Sequence, residues 1–176
     1  MKLVYPFTTE QTPNLEQVGG KGMSLIFMKQ RNLPVPSGFV LTVDFFEPWL
    51  KYLKCLPEWE KTLKQYPDNL KGNSYVLKSW CRGLQLNDKQ AEALSIALET
   101  LKSKNGNPLF AVRSSSPEED LEQASFAGGY VTSLGVKEDG VLEAIRLSFA
   151  SLFDERVFVY KQSHGFPIKE PRIAVI

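Results

Sequence analysis

Leu109-Phe110-Ala111-Val112-Arg113-Ser114-Ser115-Ser116-Pro117 is the stretch on which the fold turns. Its first four residues are apolar and follow the break Asn105-Gly106-Asn107-Pro108, so they predict a fully apolar strand. Upstream of the break the chain reads as helical. Leu70 to Leu84 carries Tyr75, Leu77, Trp80 and Cys81, and Ala91, Leu94, Ile96, Ala97, Leu98 and Leu101 follow at steps of three and four behind Asn87 or Asp88 as a cap. Downstream, an Ala127-Gly128-Gly129 turn leads into a second strand, Tyr130–Val136. Two helices are expected near 138–151 and 154–163, and Arg172-Ile173-Ala174-Val175-Ile176 reads as the beginning of a strand.

Working back to the N-terminus, Leu3–Phe7 predicts a short strand, and Gly19-Gly20-Lys21-Gly22 opens a helix reaching about Arg31. Pro34 and Pro36 force an extended passage into a buried strand, Gly38–Thr42. Asp44 is expected to cap an aromatic helix carrying Phe45, Phe46, Trp49, Tyr52 and Leu53. Strands and helices alternate around a helical middle, so the class is α+β.

Composition narrows the functions. With 176 residues, 43% hydrophobic and 23% charged, the chain can bury a core as one domain or as one lobe of something larger. Its 21 Lys and Arg against 20 Asp and Glu argue against nucleic acid as a main partner, because phosphate-backbone binding needs a basic excess. No apolar run approaches the roughly 20 residues that span a bilayer, and the first residues lack a signal-peptide pattern, so a cytoplasmic location without a membrane partner is expected. Cys55 and Cys81 are expected to be reduced, largely buried thiols. The single histidine, His164, rules out a His-based triad elsewhere in the chain; before Gly165 it reads as a helix C-terminal cap.

Three stretches carry chemistry. In Val18-Gly19-Gly20-Lys21-Gly22, glycines let backbone approach a phosphate and Lys21 adds a point charge, although Gly22 in place of Ser or Thr excludes a Walker A loop. A plain glycine turn explains the same residues. Arg113, leaving an apolar strand beside hydroxyls, presents a planar fork to an anion; the alternative is an ion pair with Glu118-Glu119-Asp120. Gly128 and Gly129 let backbone lie against a ligand, with Thr132 able to donate a hydroxyl; ordinary turn glycines are the other reading.

Together these stretches resemble the N-terminal nucleotide-binding domain of the phosphoenolpyruvate synthase and pyruvate phosphate dikinase family, which includes rifampicin phosphotransferases. The resemblance rests on Val18-Gly19-Gly20-Lys21-Gly22-Met23-Ser24-Leu25 with Val35-Pro36-Ser37-Gly38-Phe39. It continues in Phe110 to Ser115 with Glu119-Asp120-Leu121 and Ala124 to Gly128, then in Ala150-Ser151-Leu152-Phe153 with Arg156 and Tyr160. It is weakest over 51–104. Gly129 stands where the family usually has Gln, and Ser116-Pro117 where it usually has Ala-Thr.

The resemblance implies that residues 1–176 form one lobe of an ATP-grasp-like nucleotide-binding domain. Lys21 and Arg113 are then phosphate-contacting cations, with Arg113 in the catalytic role; Gly128 is a backbone contact to the nucleotide and Thr132 a phosphate or ribose ligand. ATP and Mg²⁺ are the implied cofactors, with the metal ligands, a phosphohistidine and the acceptor domain elsewhere in a longer protein. The implied activity is phosphoryl transfer from ATP through that histidine to pyruvate; an antibiotic or a glucan as acceptor, or a non-catalytic nucleotide-binding module, are the alternatives. A lobe alone is expected to be inactive. Severed at Ile176, the last strand is expected to be an exposed edge that frays or self-associates.

Overall fold

The computed structural model describes residues 2–65, 67–105, 108–118, 120–121, 124–125 and 130–176. The strands are β1 (Val4–Pro6), β2 (Phe39–Leu41), β3 (Phe110–Ser115), β4 (Asp120–Leu121), β5 (Ala124–Ser125), β6 (Thr132–Val136) and β7 (Ala174–Val175). The helices are α1 (Leu15–Gln30), α2 (Val43–Lys54), α3 (Pro57–Gln65), α4 (Leu70–Arg82), α5 (Asp88–Asn105), α6 (Val141–Ala150) and α7 (Glu155–Ser163). Five strands make one antiparallel sheet in the order β1-β2-β7-β3-β6, while β4 and β5 pair separately.

Side chains alternate across a strand, so the register assigns each residue to a face. Leu41 pairs with Val175, which pairs with Ser114, and these share one face with Val112 and Val4. That face meets α2, α4 and α6 in the larger core. Its centre is aromatic: Phe149 lies 5.4 Å from Phe46, 5.3 Å from Trp49 and 5.8 Å from Phe153 between ring centroids. Buried Gln90 ties α5 to this layer by donating from Nε2 to the Phe45 carbonyl at 2.7 Å. The opposite face, with Tyr5, Val40 and Ala174, is covered by Val18 and Ile26 of α1. Helix, sheet and helices form three layers.

Local signals explain where most elements begin. Asn14 and Gln17 exchange side-chain and backbone hydrogen bonds in a capping box, so α1 starts ahead of the glycine cluster rather than at it. The aromatic helix starts at Val43 behind Thr42, not behind Asp44. Thr42 Oγ1 instead donates to the Lys2 carbonyl at 2.8 Å and ties α2 to the chain start. Asn87 and Gln90 make a second reciprocal pair at the start of α5. His164 caps α7, as its sequence position predicts.

Two expectations are corrected. The final strand is no exposed edge: Ile173, Ala174 and Val175 are buried, and β7 lies at the centre of the sheet between β2 and β3. Self-association through an uncovered edge at 173–175 therefore loses its physical basis. Cys55 is exposed, whereas Cys81 is buried and its thiol is pushed up to about 12 by burial, against the opposing charge of Lys78. Among the described residues, no helix is long and apolar enough to cross a membrane.

Candidate functional site

Helix α1 is broken. Gly19 has φ 68° and ψ 171°, outside helical space, and a Cβ at this position would stand 2.2 Å from the Ser115 carbonyl oxygen. Only glycine fits there. In an unbroken helix the Gly22 N–H would donate to the Val18 carbonyl, four residues back. Here the Ser115 hydroxyl stands between them. It accepts from the Gly22 N–H at 3.0 Å and donates to the Val18 carbonyl at 2.7 Å. A side chain inserted into the helical ladder is a recognised cause of a sharp kink. Gly20, Lys21 and Gly22 thus open a second helical segment, with Gly19 in the capping position and no side chain of its own to cap with. Its macrodipole puts partial positive charge at that opening, beside half-buried Lys21.

Strand β3 carries the other candidate cation two residues from that contact. Arg113 lies two residues before Ser115, hence on the same face and about 7 Å away along the strand. Its backbone exchanges hydrogen bonds with Ile176 at 2.9 and 2.8 Å, which fixes it against β7. On the other side it is the register partner of Thr132. Directly opposed side chains share a face, with Cβ atoms about 5 Å apart. Both are exposed, and among the described residues Arg113 makes no ion pair.

The structure therefore brings together the break in α1, Arg113 and Thr132 on one side of the sheet. Gly128 lies outside the described residues. The alternative pairing of Arg113 with the acidic cluster fails for Glu118, whose carboxylate reaches Lys161 Nζ at 2.6 Å in a nearly buried pair. Burial pulls the Lys161 pKa down, and the Glu118 charge opposes it. Ser116 ties the same turn to the C-terminal segment, its hydroxyl donating to the Arg172 carbonyl at 3.3 Å and accepting from the Glu118 N–H at 3.2 Å. The exit of β3 is thereby held on both sides.

A cavity of about 370 Å³ opens where β7 ends and β2 and β3 run on unbridged; Phe39, Phe110, Ile145 and Ile176 make it apolar. Arg113 lines it, whereas Lys21 and Thr132 do not, so the cavity adjoins the polar face just described through that one residue. His164 is an exposed cap whose ring lies tilted by 30° against that of Tyr160, with centroids 4.3 Å apart, and its Nδ1 lies 2.9 Å from the Tyr160 carbonyl. Among the described residues no three His, Cys, Asp or Glu side chains group to hold a metal.

What sequence reading missed is Ser115. It bonds residues 93 and 97 positions away, and no periodicity reports such a contact. The available signal was the unusual pairing of a hydroxyl with a glycine cluster that no local turn required.

Comparison with known proteins bears on what such a face does. A family model described as pyruvate phosphate dikinase, AMP/ATP-binding domain, matches residues 15–176. The phosphoenolpyruvate synthase of Deinococcus radiodurans is 32% identical over 176 residues, covering 97% of this chain and 23% of the relative. An uncharacterized phosphotransferase of Bacillus subtilis, YvkC, is 32% identical over 159 residues, covering 90% of this chain and 17% of the relative. The phosphoenolpyruvate synthase of Escherichia coli is 32% identical over 162 residues, covering 87% and 20%. The chain thus spans about a fifth of the length of these curated relatives.

Proposed function

Because the chain belongs to the pyruvate phosphate dikinase AMP/ATP-binding domain family, we propose that it is the ATP-binding lobe of a phosphotransferase of the phosphoenolpyruvate synthase kind. In this reading the fold is one half of an ATP-grasp-like domain, and the nucleotide's phosphates lie across the opening of the second α1 segment and the Arg113–Thr132 pair. The observation that supports it most is the Ser115 contact, because it joins two stretches that a plain turn and a plain strand end have no reason to join.

The chemistry asked of these residues is electrostatic. The Arg113 guanidinium donates to two phosphate oxygens in a planar fork. The Lys21 ammonium supplies a compact charge at the mouth of the helix, where the dipole already favours an anion. Thr132 donates a hydroxyl hydrogen bond, and Gly128 offers a backbone N–H. In the full-length protein the same contacts stabilise charge on the phosphoryl group as it leaves ATP. In this proposal the protein ligands for Mg²⁺ are supplied elsewhere in the full-length protein, as the family resemblance implies. The phosphohistidine and its acceptor, pyruvate in this proposal, belong there too, and the lobe by itself turns over no substrate.

Calorimetric titration of the chain with ATP tests the proposal. Each charge-assisted contact is worth about 1.5–3 kcal/mol, so Lys21→Met and Arg113→Ala should each weaken binding roughly 10- to 100-fold. Because Arg113 is exposed and makes no ion pair among the described residues, its removal should leave thermal stability nearly unchanged. Unaltered ATP affinity in both variants contradicts the site.

A further inference from the structure

We propose that Ser115 is the positioning residue of this site, setting through α1 where Lys21 stands relative to Arg113. The inference rests on the nucleotide reading above and concerns a residue that never meets the ligand. Ser115 has no exposed surface, so whatever it does is done through its neighbours.

The hydroxyl uses its one proton on the Val18 carbonyl and a lone pair on the Gly22 N–H. It thereby performs two tasks. It supplies the capping oxygen that Gly19 lacks for the second segment of α1, and it closes the carbonyl end of the first. The first segment is also held from outside, because Glu16 pairs with Arg172 beside β7. The second segment, which carries Lys21, depends on Ser115 for the position of its opening turn. Ser115 and Arg113 stand on one rigid strand, so the spacing of the two cations is inherited from β3 rather than from a loop.

Removing the hydroxyl leaves two outcomes for α1. Val18 and Gly22 lose their partner, or the helix reseals with a direct bond between them. Resealing requires Gly19 to leave φ 68° for helical values, which turns one segment against the other. Resealing moves Lys21 relative to Arg113, and loss of the partner frees the turn that carries Lys21, while groups that bind a base or ribose elsewhere are unaffected.

This predicts a loss confined to phosphates. ATP and adenosine are titrated separately into the 176-residue chain and into Ser115→Ala, with thermal melts to establish folding. Ser115→Ala should bind ATP at least tenfold more weakly and adenosine within twofold of the unaltered chain. Ser115→Cys, which keeps the size and weakens both hydrogen bonds, should fall between and carries the test if the alanine variant does not fold. Equal losses for ATP and adenosine, or ATP affinity within twofold in Ser115→Ala, overturn the positioning role. Absence of ATP binding by the unaltered chain overturns the nucleotide reading and, with it, this role.

Discussion

Gly19 and Gly165 share a positive φ, +68° and +70°, and differ in what surrounds them. A side chain at Gly165 meets nothing within 4 Å, whereas at Gly19 it would strike the Ser115 backbone. Left-handed backbone costs a non-glycine residue about 1–2 kcal/mol. Gly165→Ala should therefore lose about 1 kcal/mol in urea denaturation. Gly19→Ala adds an overlap that only backbone movement relieves, and should lose roughly 3–4 kcal/mol or more. Equal losses would show that Gly19 is a turn glycine and nothing more. At this scale Lys21, Arg113 and Thr132 were legible as candidates for the proposed phosphate contacts. Which of the three clustered glycines bends the chain was not, because the answer depends on a serine nearly a hundred residues away.

Among the elements, the helices were legible because their caps and spacing are local. Asp154 is an instance: its side chain accepts from the Arg156 N–H at the start of α7 and pairs with Lys78 of α4 at 2.9 Å. Burial would raise its pKa, but the hydrogen bonds from Lys78 and Arg156 outweigh it, and the carboxyl sits below its ordinary value of 3.8. A carboxyl depressed on folding adds stability above its unfolded value, and that stability is lost as pH falls through the folded one. Asp154→Asn keeps an oxygen for the cap and removes the charge. It should cost about 1 kcal/mol at neutral pH, and the gap to the unaltered chain should close as pH drops below 3.8. A gap independent of pH would assign the loss to packing. Helix α3 was not separated from its neighbours, although Pro57 at its first position is a start signal.

The arrangement of the whole molecule was the least legible level. Four of the five strands of the main sheet were readable from apolar runs and β6 from the glycine turn expected before it, yet their order was not, since β7 is last in sequence and central in space. An apolar five-residue segment reads the same whether it ends at an edge or is inserted between two strands. That insertion matters for the proposed site: it holds Arg113 by two backbone bonds, while β3 carries Ser115 to the break in α1. The proposed site is thus a product of sheet order, drawn from four elements that no local pattern joins. Its most direct test is a nuclear magnetic resonance titration of the chain with ATP, following backbone amides. Shifts concentrated at Gly20 to Met23, Arg113 and Thr132, moving together along one binding curve, are the expected result. Shifts confined to the apolar cavity around Phe39, Phe110 and Ile145, with the Lys21 and Thr132 amides unmoved, would contradict it.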